Sequence, residues 1–413
     1  MTTGVPALVA LRSPALRRYL AGQLQSVTAS WIQVVALSWV LVDRHPAALG
    51  WVVALQFGPS LVLAPWFGPL IDRHDRRRVL MVAEAGLGLV AAGYAVAAAT
   101  NHLTLPLIFA LATAWGILNA LDTPARQALV PALVRSDQAA RAAAMSGVVV
   151  LVSMTVGSAL GAIVVDVAGV AVAFLVNAVS FGLDVVILST IAVVAPARVG
   201  RAPRQLREGF RYVWRTSRLR TPLLALAVVG SLSFTVPVSV PLLLRHEFAG
   251  GASLVGAGLT AVTAGGIVGA IVAAVRHAPT PHSLSRGCAV MAVSLATVAV
   301  SPGAPVALAG LVGVGLAWSL LLTSTIAHLQ TAEGAMMGRV MSWLAVVLIG
   351  GIAVGGPLTS TVSSSAGPRA PFVLGAAAAL LAIPILGWRS RFDQLPTAVV
   401  PAGDQRPLQP TVD

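Results

Sequence analysis

Residues 146–165 read SGVVVLVSMTVGSALGAIVV, twenty apolar or small side chains without a charge. A helix of this length is about 30 Å long, which matches the hydrocarbon core of a bilayer. Similar stretches recur along the 413-residue chain, which is 57% hydrophobic and only 10% charged. Soluble domains carry about 25% charged residues. The sequence therefore predicts an all-α membrane protein and excludes a water-soluble fold.

Twelve stretches are apolar and long enough to be transmembrane helices. The predicted spans cover residues 19–42, 47–71, 77–99, 104–122, 142–165, 169–193, 222–244, 253–275, 285–301, 305–328, 338–362 and 370–388. The longest connection divides them six and six. We therefore expect an N-terminal six-helix bundle at 1–193, a central loop at 194–221, a C-terminal six-helix bundle at 222–391 and a disordered tail at 392–413.

The arginines give an independent test of this count. Lysine is absent, and 24 of the 27 arginines fall in alternate connections, beginning with the N-terminal segment. Basic residues concentrate in cytoplasmic loops. We therefore expect a multi-pass protein of the cytoplasmic (inner) membrane with both termini and the central loop in the cytoplasm.

The central loop contains a predicted amphipathic helix at residues 204–219 (RQLREGFRYVWRTSRL). Leu206, Phe210, Val213 and Trp214 share one helical side, and arginines occupy the rest. Such a helix lies in the headgroup layer. The net charge of +13 is therefore expected to face anionic membrane lipids and not nucleic acid.

No enzyme, metal site or nucleotide site is indicated. A phosphate-binding loop of the G-x-x-x-x-G-K-[ST] type needs a lysine, and the chain has none. The seven histidines show no metal-ligand spacing. The single Cys288 excludes an intrachain disulfide. We expect no cofactor, and no feature indicates an obligate protein partner.

The fifth and eleventh predicted spans share a pattern of small residues. Gly157 and Gly161 in one span correspond to Gly351 and Gly355 in the other, which continues as Gly356-Pro357. A glycine every fourth residue lets two helix backbones approach closely. Since the two spans lie six apart, this match indicates pseudo-symmetric halves.

Residues 68–80, GPLIDRHDRRRVL, resemble the signature G-x-L-x-D-R-x-G-R-[RK]-x-x-L of the major facilitator superfamily, whose two six-helix halves are joined by a loop. In that family the motif forms a conformational latch. The resemblance assigns the latch to Gly68, Asp72 and Arg73, with Asp72 facing Gly338 and Arg339 at the start of the eleventh span, and with Arg76 pairing with Asp122. Asp75 replaces the second glycine of the motif. A purely topological role of the arginines is the alternative.

Four further stretches resemble the branch of bacterial exporters that includes the enterobactin exporter and actinobacterial drug-efflux proteins. They are GQLQS at 22–26 (continuing to Trp31), DTPAR at 122–126, REGFRY at 207–212 and GRVMS at 338–342. The resemblance implies alternating-access export of a small, partly hydrophobic molecule (a drug, siderophore or metabolite), with proton antiport as the expected coupling. Ser30 stands where relatives often have an acid, and the antiporter motif is eroded at residues 157–162. An importer, a lipid flippase and a non-transporting scaffold or sensor are the alternatives.

The resemblance also implies a central cavity surrounded by spans 1, 4, 7 and 10. In span 1, four polar residues at offsets of 0, 3, 7 and 10 share one helical face, which we expect to point inward. The candidate cavity residues are Gln23, Ser26, Ser30 and Gln33 from span 1, Trp115 and Asn119 from span 4, and Ser319, Thr323, Ser324 and His328 from span 10. For each of them, hydrogen bonding between helices without substrate contact is the alternative.

Ionisable groups inside a bilayer are costly and are therefore functional candidates. Asp184 lies deepest, near the middle of predicted span 6, and is the candidate for proton coupling. A satisfied structural acid is the alternative. Glu84 and Asp166 are expected near opposite membrane surfaces, where water or an arginine satisfies them.

Overall fold

The computed structural model describes residues 13–191, 204–233, 235–275, 282–332 and 334–392, and within them the only regular secondary structure is helical. Part of the central loop and residues 393–413 of the predicted tail lie outside these ranges. The helices are α1 (Pro14–Arg44), α2 (Leu49–Arg73), α3 (Arg76–Ala99), α4 (Leu105–Leu129), α5 (Ala139–Ser189), α6 (Arg204–Arg215), α7 (Ser217–Leu232), α8 (Val236–His246), α9 (Ala252–Val275), α10 (Ser283–Ala299), α11 (Ala304–Leu329), α12 (Gly334–Ala366) and α13 (Ala370–Phe392).

In the part of the chain that the structure describes, nine helical segments are apolar and long enough to cross a bilayer, and two shorter helices are apolar as well. The chain is therefore a multi-pass membrane protein, as predicted. One of the nine segments, residues 136–189, has 54 residues. At 1.5 Å per residue it is more than twice as long as a ~30 Å hydrocarbon core.

Helix α5 is a hairpin of two arms, which the sequence predicted as separate spans. The chain turns at Gly169, whose φ of 80° and ψ of 171° are not helical. Along the first arm, Ser153 and then Gly157 meet successively later residues of α1. Along the second arm, Asn177 meets Gln33 of α1, and Ser180 meets the earlier residue Gln25. The first arm therefore runs parallel to α1 and the second arm runs antiparallel to it, so the two arms are antiparallel to each other.

The predicted span 222–244 is broken in the structure. Helix α7 ends at Leu232, and α8 begins at Val236 with Pro237 in its first turn. Proline lacks an N–H and disfavours a helical residue before it, but the first turn of a helix tolerates it. Pro237 is therefore compatible with the start of α8, and the predicted span is interrupted just before that start.

Helices α1–α5 pack into one group and α7–α13 into another, and both groups use the same glycine contact. A Cβ atom at Gly157 of α5 would overlap the carbonyl oxygen of Thr28 in α1. A Cβ atom at Gly355 of α12 would overlap the carbonyl oxygen of Ser231 in α7. Only glycine permits these backbone contacts, which hold α5 on α1 and α12 on α7.

We call the end of the protein that carries α6 and residues 73–76 the arginine-rich face, and the end that carries residues 44–48 and 246–251 the opposite face. Between the groups, Gly256 of α9 lies against Ala162 of α5, and Gly50 of α2 lies against Gly356 of α12. The backbone N–H of Gly50 also donates to Ser360 Oγ at 2.7 Å. These contacts lie in the half of the molecule near the opposite face.

Alanine at position 157 is expected to destabilise the protein, because its Cβ would push α5 away from α1, and overpacking typically costs about 1–3 kcal/mol. Gly147 of the same helix is the matched control, since it is exposed and a Cβ there meets open space. We expect Gly157→Ala to lower the Tm of the detergent-solubilised protein and Gly147→Ala to leave it unchanged or raise it. Equal Tm values for the two variants would contradict this packing.

Candidate functional site

A cavity lies where α1, α2 and α4 meet Pro237 of α8. It has a volume of about 100 Å³, which is smaller than the roughly 300–1,000 Å³ of sites for drug-sized ligands. Its walls are apolar except for Ser30, Gln33, Ser38, Gln56, Asn119 and the indoles of Trp31 and Trp115, and its lining includes no titratable side chain. The lining therefore suits an apolar, uncharged molecule, and the two groups must separate further to admit a large one.

Four of the ten predicted cavity residues line this cavity: Ser30, Gln33, Trp115 and Asn119. Two of them, Ser30 and Gln33, form hydrogen bonds with Asn177 in the second arm of α5, which lies outside the cavity lining. Ser30 Oγ donates to Asn177 Oδ1 at 3.3 Å, and Asn177 Nδ2 donates to Gln33 Oε1 at 2.9 Å. Asn177 itself is fully buried.

The other six predicted cavity residues lie outside its lining. Gln23 is buried and accepts a hydrogen bond from Ser146 of α5 at 2.8 Å, and Ser26 is buried as well. Ser319 donates to the Gly266 carbonyl of α9 at 2.7 Å, so it joins two helices. The remaining three lie in α11, where Thr323 is exposed and Ser324 and His328 are half-buried. Thr323 Oγ1 donates to the Ser319 carbonyl, and a ring nitrogen of His328 bonds to the Ser324 carbonyl.

A buried ionic cluster centres on Arg126 of α4. Its guanidinium pairs with Glu84 of α3, with Asp122 one turn earlier at 3.0 Å, and with Asp184 of α5 at 3.0 Å. The Arg126 side chain is only 12% exposed. A Cβ atom at Gly22 of α1 would overlap Asp184 Oδ1, so glycine admits this carboxylate. Three carboxylates therefore share one guanidinium.

Sequence reasoning counted Arg126 as a loop arginine and did not identify the cluster. The usable signal was the i, i+4 spacing of Asp122 and Arg126. Asp184 was expected near the middle of its span, but α5 ends at Ser189, five residues later. It therefore lies nearer the arginine-rich face than predicted, beside an arginine.

The structure describes only some side chains of the predicted latch. Of the predicted latch positions, Gly68 and Asp72 lie outside the described side chains, and Arg73 is exposed. Arg76 donates to the Ala128 carbonyl at 3.3 Å, whereas Asp122, its predicted partner, bonds Arg126.

At the start of α12, a Cβ atom at Gly338 would meet open space. Arg339 pairs at 2.9 Å with Glu208 of α6, a residue that sequence reasoning did not single out. The ring of Phe210 in α6 packs on Trp343 of α12 with centroids 5.0 Å apart. Helix α6 is therefore anchored to α12.

On the opposite face, an ion pair joins the two groups. Arg245 of α8 contacts Asp43 of α1 at 2.7 Å, and its guanidinium lies over the ring of Trp39, 4.9 Å from the centroid. Both charged side chains are partly exposed, at 34% and 47%. The pair adds a polar contact to the glycine contacts beneath it.

Two groups of apolar helices with a cavity where they meet are typical of membrane transporters. Residues 5–410 match the family described as transmembrane secretion effector, and the chain belongs to this family of the major facilitator superfamily. The chain is therefore a secondary transporter of small molecules and not an enzyme, and the resemblance inferred from the motifs is confirmed.

The chain is similar to several characterised exporters. It is 27% identical over 409 residues to the multidrug efflux pump Tap of Mycobacterium tuberculosis, covering 91% of each chain. It is 26% identical over 416 residues to the enterobactin exporter EntS of Escherichia coli, covering 94% of this chain and 96% of the exporter. Among solved structures, a bacterial homologue of the human lysosomal transporter Spinster, inward-facing and occupied, superposes with a TM-score of 0.71 at 14% identity, over 92% of this chain and 97% of the other. That likeness establishes the major facilitator fold.

Replacing Arg126 with methionine is expected to lower the Tm strongly, because three buried carboxylates lose their cation. Removing one partner of a buried ion pair costs about 3–5 kcal/mol. Asp184→Asn removes surplus negative charge and is expected to leave the Tm unchanged or raise it. Thermal unfolding in detergent measures both, with Arg141→Met, at an exposed site on α5, as the control. If the Arg126 and Arg141 variants unfold at the same temperature, the cluster does not contribute as described.

Proposed function

We propose that this protein exports an apolar organic molecule from the cytoplasm by alternating access. In this proposal twelve spans form two six-helix bundles, at 1–193 and 222–391, joined by the central segment 194–221. The two arms of α5 count as two spans, and α7 with α8 counts as one. The protein lies in the inner membrane with the arginine-rich face and both termini in the cytoplasm, as the distribution of arginines favours.

The observation that carries the proposal is the position of the cavity relative to the contacts between the groups. Gly50, Gly356 and the Asp43–Arg245 pair hold the groups together on the side of the opposite face. On the other side, a Cβ atom at Gly338 at the start of α12 meets no described atom within 4 Å, which favours separated groups there. With the arginine-rich face in the cytoplasm, this is a state that accepts substrate from the cytoplasm.

Outward opening then requires the contacts on the opposite face to separate and the arginine-rich face to close. In that closed state we assign the latch to Gly68, Asp72, Arg73 and Arg76 on one group and to Gly338 and Arg339 on the other. Arg339 would leave Glu208, its present partner. An ion pair at a partly exposed site contributes about 0–1 kcal/mol, so it can exchange partners readily.

The ionic cluster supports proton coupling through Asp184. When all three acids are ionised, their three negative charges exceed the single positive charge of Arg126 by two, and uncompensated charge is costly in a buried site. A proton on one carboxyl group halves that surplus. Asp184 and Asn177 lie seven residues apart on the same face of α5, about 10 Å along the helix, so the acid is linked to the amide behind the cavity.

The substrate class follows from the lining and from the relatives. Macrolide, multidrug and siderophore transporters are among the similar proteins, and the apolar walls with polar amides suit a drug or metabolite of that kind. An importer or a flippase on the same scaffold and a non-transporting scaffold are the competing proposals.

Transport is tested in proteoliposomes that carry a pH gradient and a pH-sensitive dye, using a panel of macrolides and catecholate siderophores. We expect substrate-dependent proton movement for the wild type and its loss in Asp184→Asn, while substrate exchange without a gradient persists. Asp166→Asn, which removes an exposed acid of the same helix, is the control. Net accumulation of the substrate by cells that express the protein would favour an importer. The absence of flux for every compound would favour a scaffold.

The opposite-face ion pair is tested with a single cysteine at position 38 in a Cys288→Ser background, labelled in cells by an impermeant maleimide. Ser38 lines the cavity. Asp43→Arg and Arg245→Asp are each expected to speed labelling a few-fold, because each leaves two like charges across the junction. The double variant restores an opposite-charge pair and is expected to return labelling toward the wild-type rate. Additive acceleration in the double variant would show that the two residues do not interact.

A further inference from the structure

Two of the three amide groups that line the cavity, those of Gln33 and Asn119, use their carbonyl oxygens within the protein. Gln33 Oε1 accepts from Asn177 Nδ2 at 2.9 Å, and Asn119 Oδ1 accepts from Thr123 Oγ1 at 3.4 Å. A primary amide has two donor hydrogens besides its acceptor oxygen. Both amides therefore retain N–H donors for a molecule in the cavity.

The remaining polar groups include two further donors, since the indoles of Trp31 and Trp115 only donate. Ser30 uses its single hydroxyl hydrogen on Asn177, so it offers an acceptor to the cavity. The Gln56 amide and the Ser38 hydroxyl can both donate and accept. The donors of Gln33, Asn119 and the two indoles therefore favour a ligand with carbonyl or ether oxygens over one with N–H groups.

Asn177 determines the orientation of Gln33 although it is absent from the cavity lining. It is fully buried, and its Oδ1 accepts from Ser30 Oγ at 3.3 Å, while Ser180 Oγ donates to the backbone carbonyl of Asn177 at 2.8 Å. This arrangement directs Nδ2 toward Gln33, which therefore accepts the hydrogen bond with its Oε1 atom. Turning the Gln33 amide over would place two N–H donors against each other.

We propose that Asn177 is a positioning residue that fixes Gln33 as a hydrogen-bond donor and thereby selects apolar, uncharged substrates that carry hydrogen-bond acceptors. The inference rests on the proposed export function and adds the substrate chemistry. Asparagine is suited to this role because it accepts on one side and donates on the other. Aspartate at position 177 would accept on both sides when ionised, so Gln33 would turn its NH2 group toward it and present its oxygen to the cavity; a protonated aspartate keeps an O–H donor, so binding to this variant is measured across a range of pH.

The test uses three nearly isosteric tricyclic probes: 9-fluorenone with a carbonyl acceptor, carbazole with an N–H donor, and fluorene with neither. Binding of the tritiated compounds to the purified wild-type protein is measured by scintillation proximity. We expect the wild type to bind fluorenone about tenfold more tightly than fluorene, as one hydrogen bond allows, and to bind carbazole no better than fluorene.

Asn177→Asp is expected to reverse this preference, so that carbazole binds more tightly than fluorenone. Gln33→Leu introduces no charge into the cavity. It is expected to remove the preference for fluorenone without creating a preference for carbazole. Asn101→Asp changes the same residue type at an exposed turn and is expected to change nothing. If Asn177 had only a structural role, its substitution would lower the affinity for all three probes equally.

The outcomes separate this inference from the proposed function. Equal wild-type affinity for the three tricycles, or an unchanged preference in both Asn177→Asp and Gln33→Leu, overturns the role of Asn177 and leaves export standing. Wild-type protein that binds none of the probes and also moves no compound of the proteoliposome panel overturns the export function and this inference together.

Discussion

Helices in a bilayer gain little by burying apolar side chains against each other, because the lipid tails are equally apolar. Close contact between backbones must therefore supply much of the packing, and in this protein it depends on a few glycines. Gly157 and Gly355 hold α5 and α12 within their own groups, while Ala162 and Gly356, in the same two helices, meet the other group. The arrangement of the cavity depends on these contacts, since they decide how near the two groups come.

The same constraint explains why α5 and α12 contribute no residue to the cavity lining. Their small faces are occupied by other helices, so the polar residues that line the cavity come from α1, α2 and α4. The polar side of α1 that faces away from the cavity packs against the second arm of α5, which contains both Asn177 and Asp184. Thus one helix arm connects the amide that orients a cavity residue with an acid of the ionic cluster.

The sequence predicted the membrane-spanning nature, the family and the matched glycines, because these follow from composition and short local patterns. It did not predict which polar faces meet. Ser30 and Gln33 reach the cavity but Gln23, on the same helical face, is covered by Ser146, and this difference depends on where each arm of α5 meets α1. Arg126 was missed because a charge count assigns an arginine near a helix end to a loop. The break before Val236 was missed because hydropathy is continuous across it, although Pro237 marked the position.

The antiparallel arms of α5 have a consequence for biogenesis. Gln33 and its partner Asn177 are separated by 144 residues in the chain, which a ribosome working at ~5–20 residues per second needs roughly 7–29 s to add. During this interval Ser30 and Gln33 lack the partner that they have in the folded protein. An unsatisfied polar group is costly in lipid, so we expect α1 to stay in a hydrated environment, such as the lateral opening of an insertion channel, until the hairpin arrives and covers that side of the first helix.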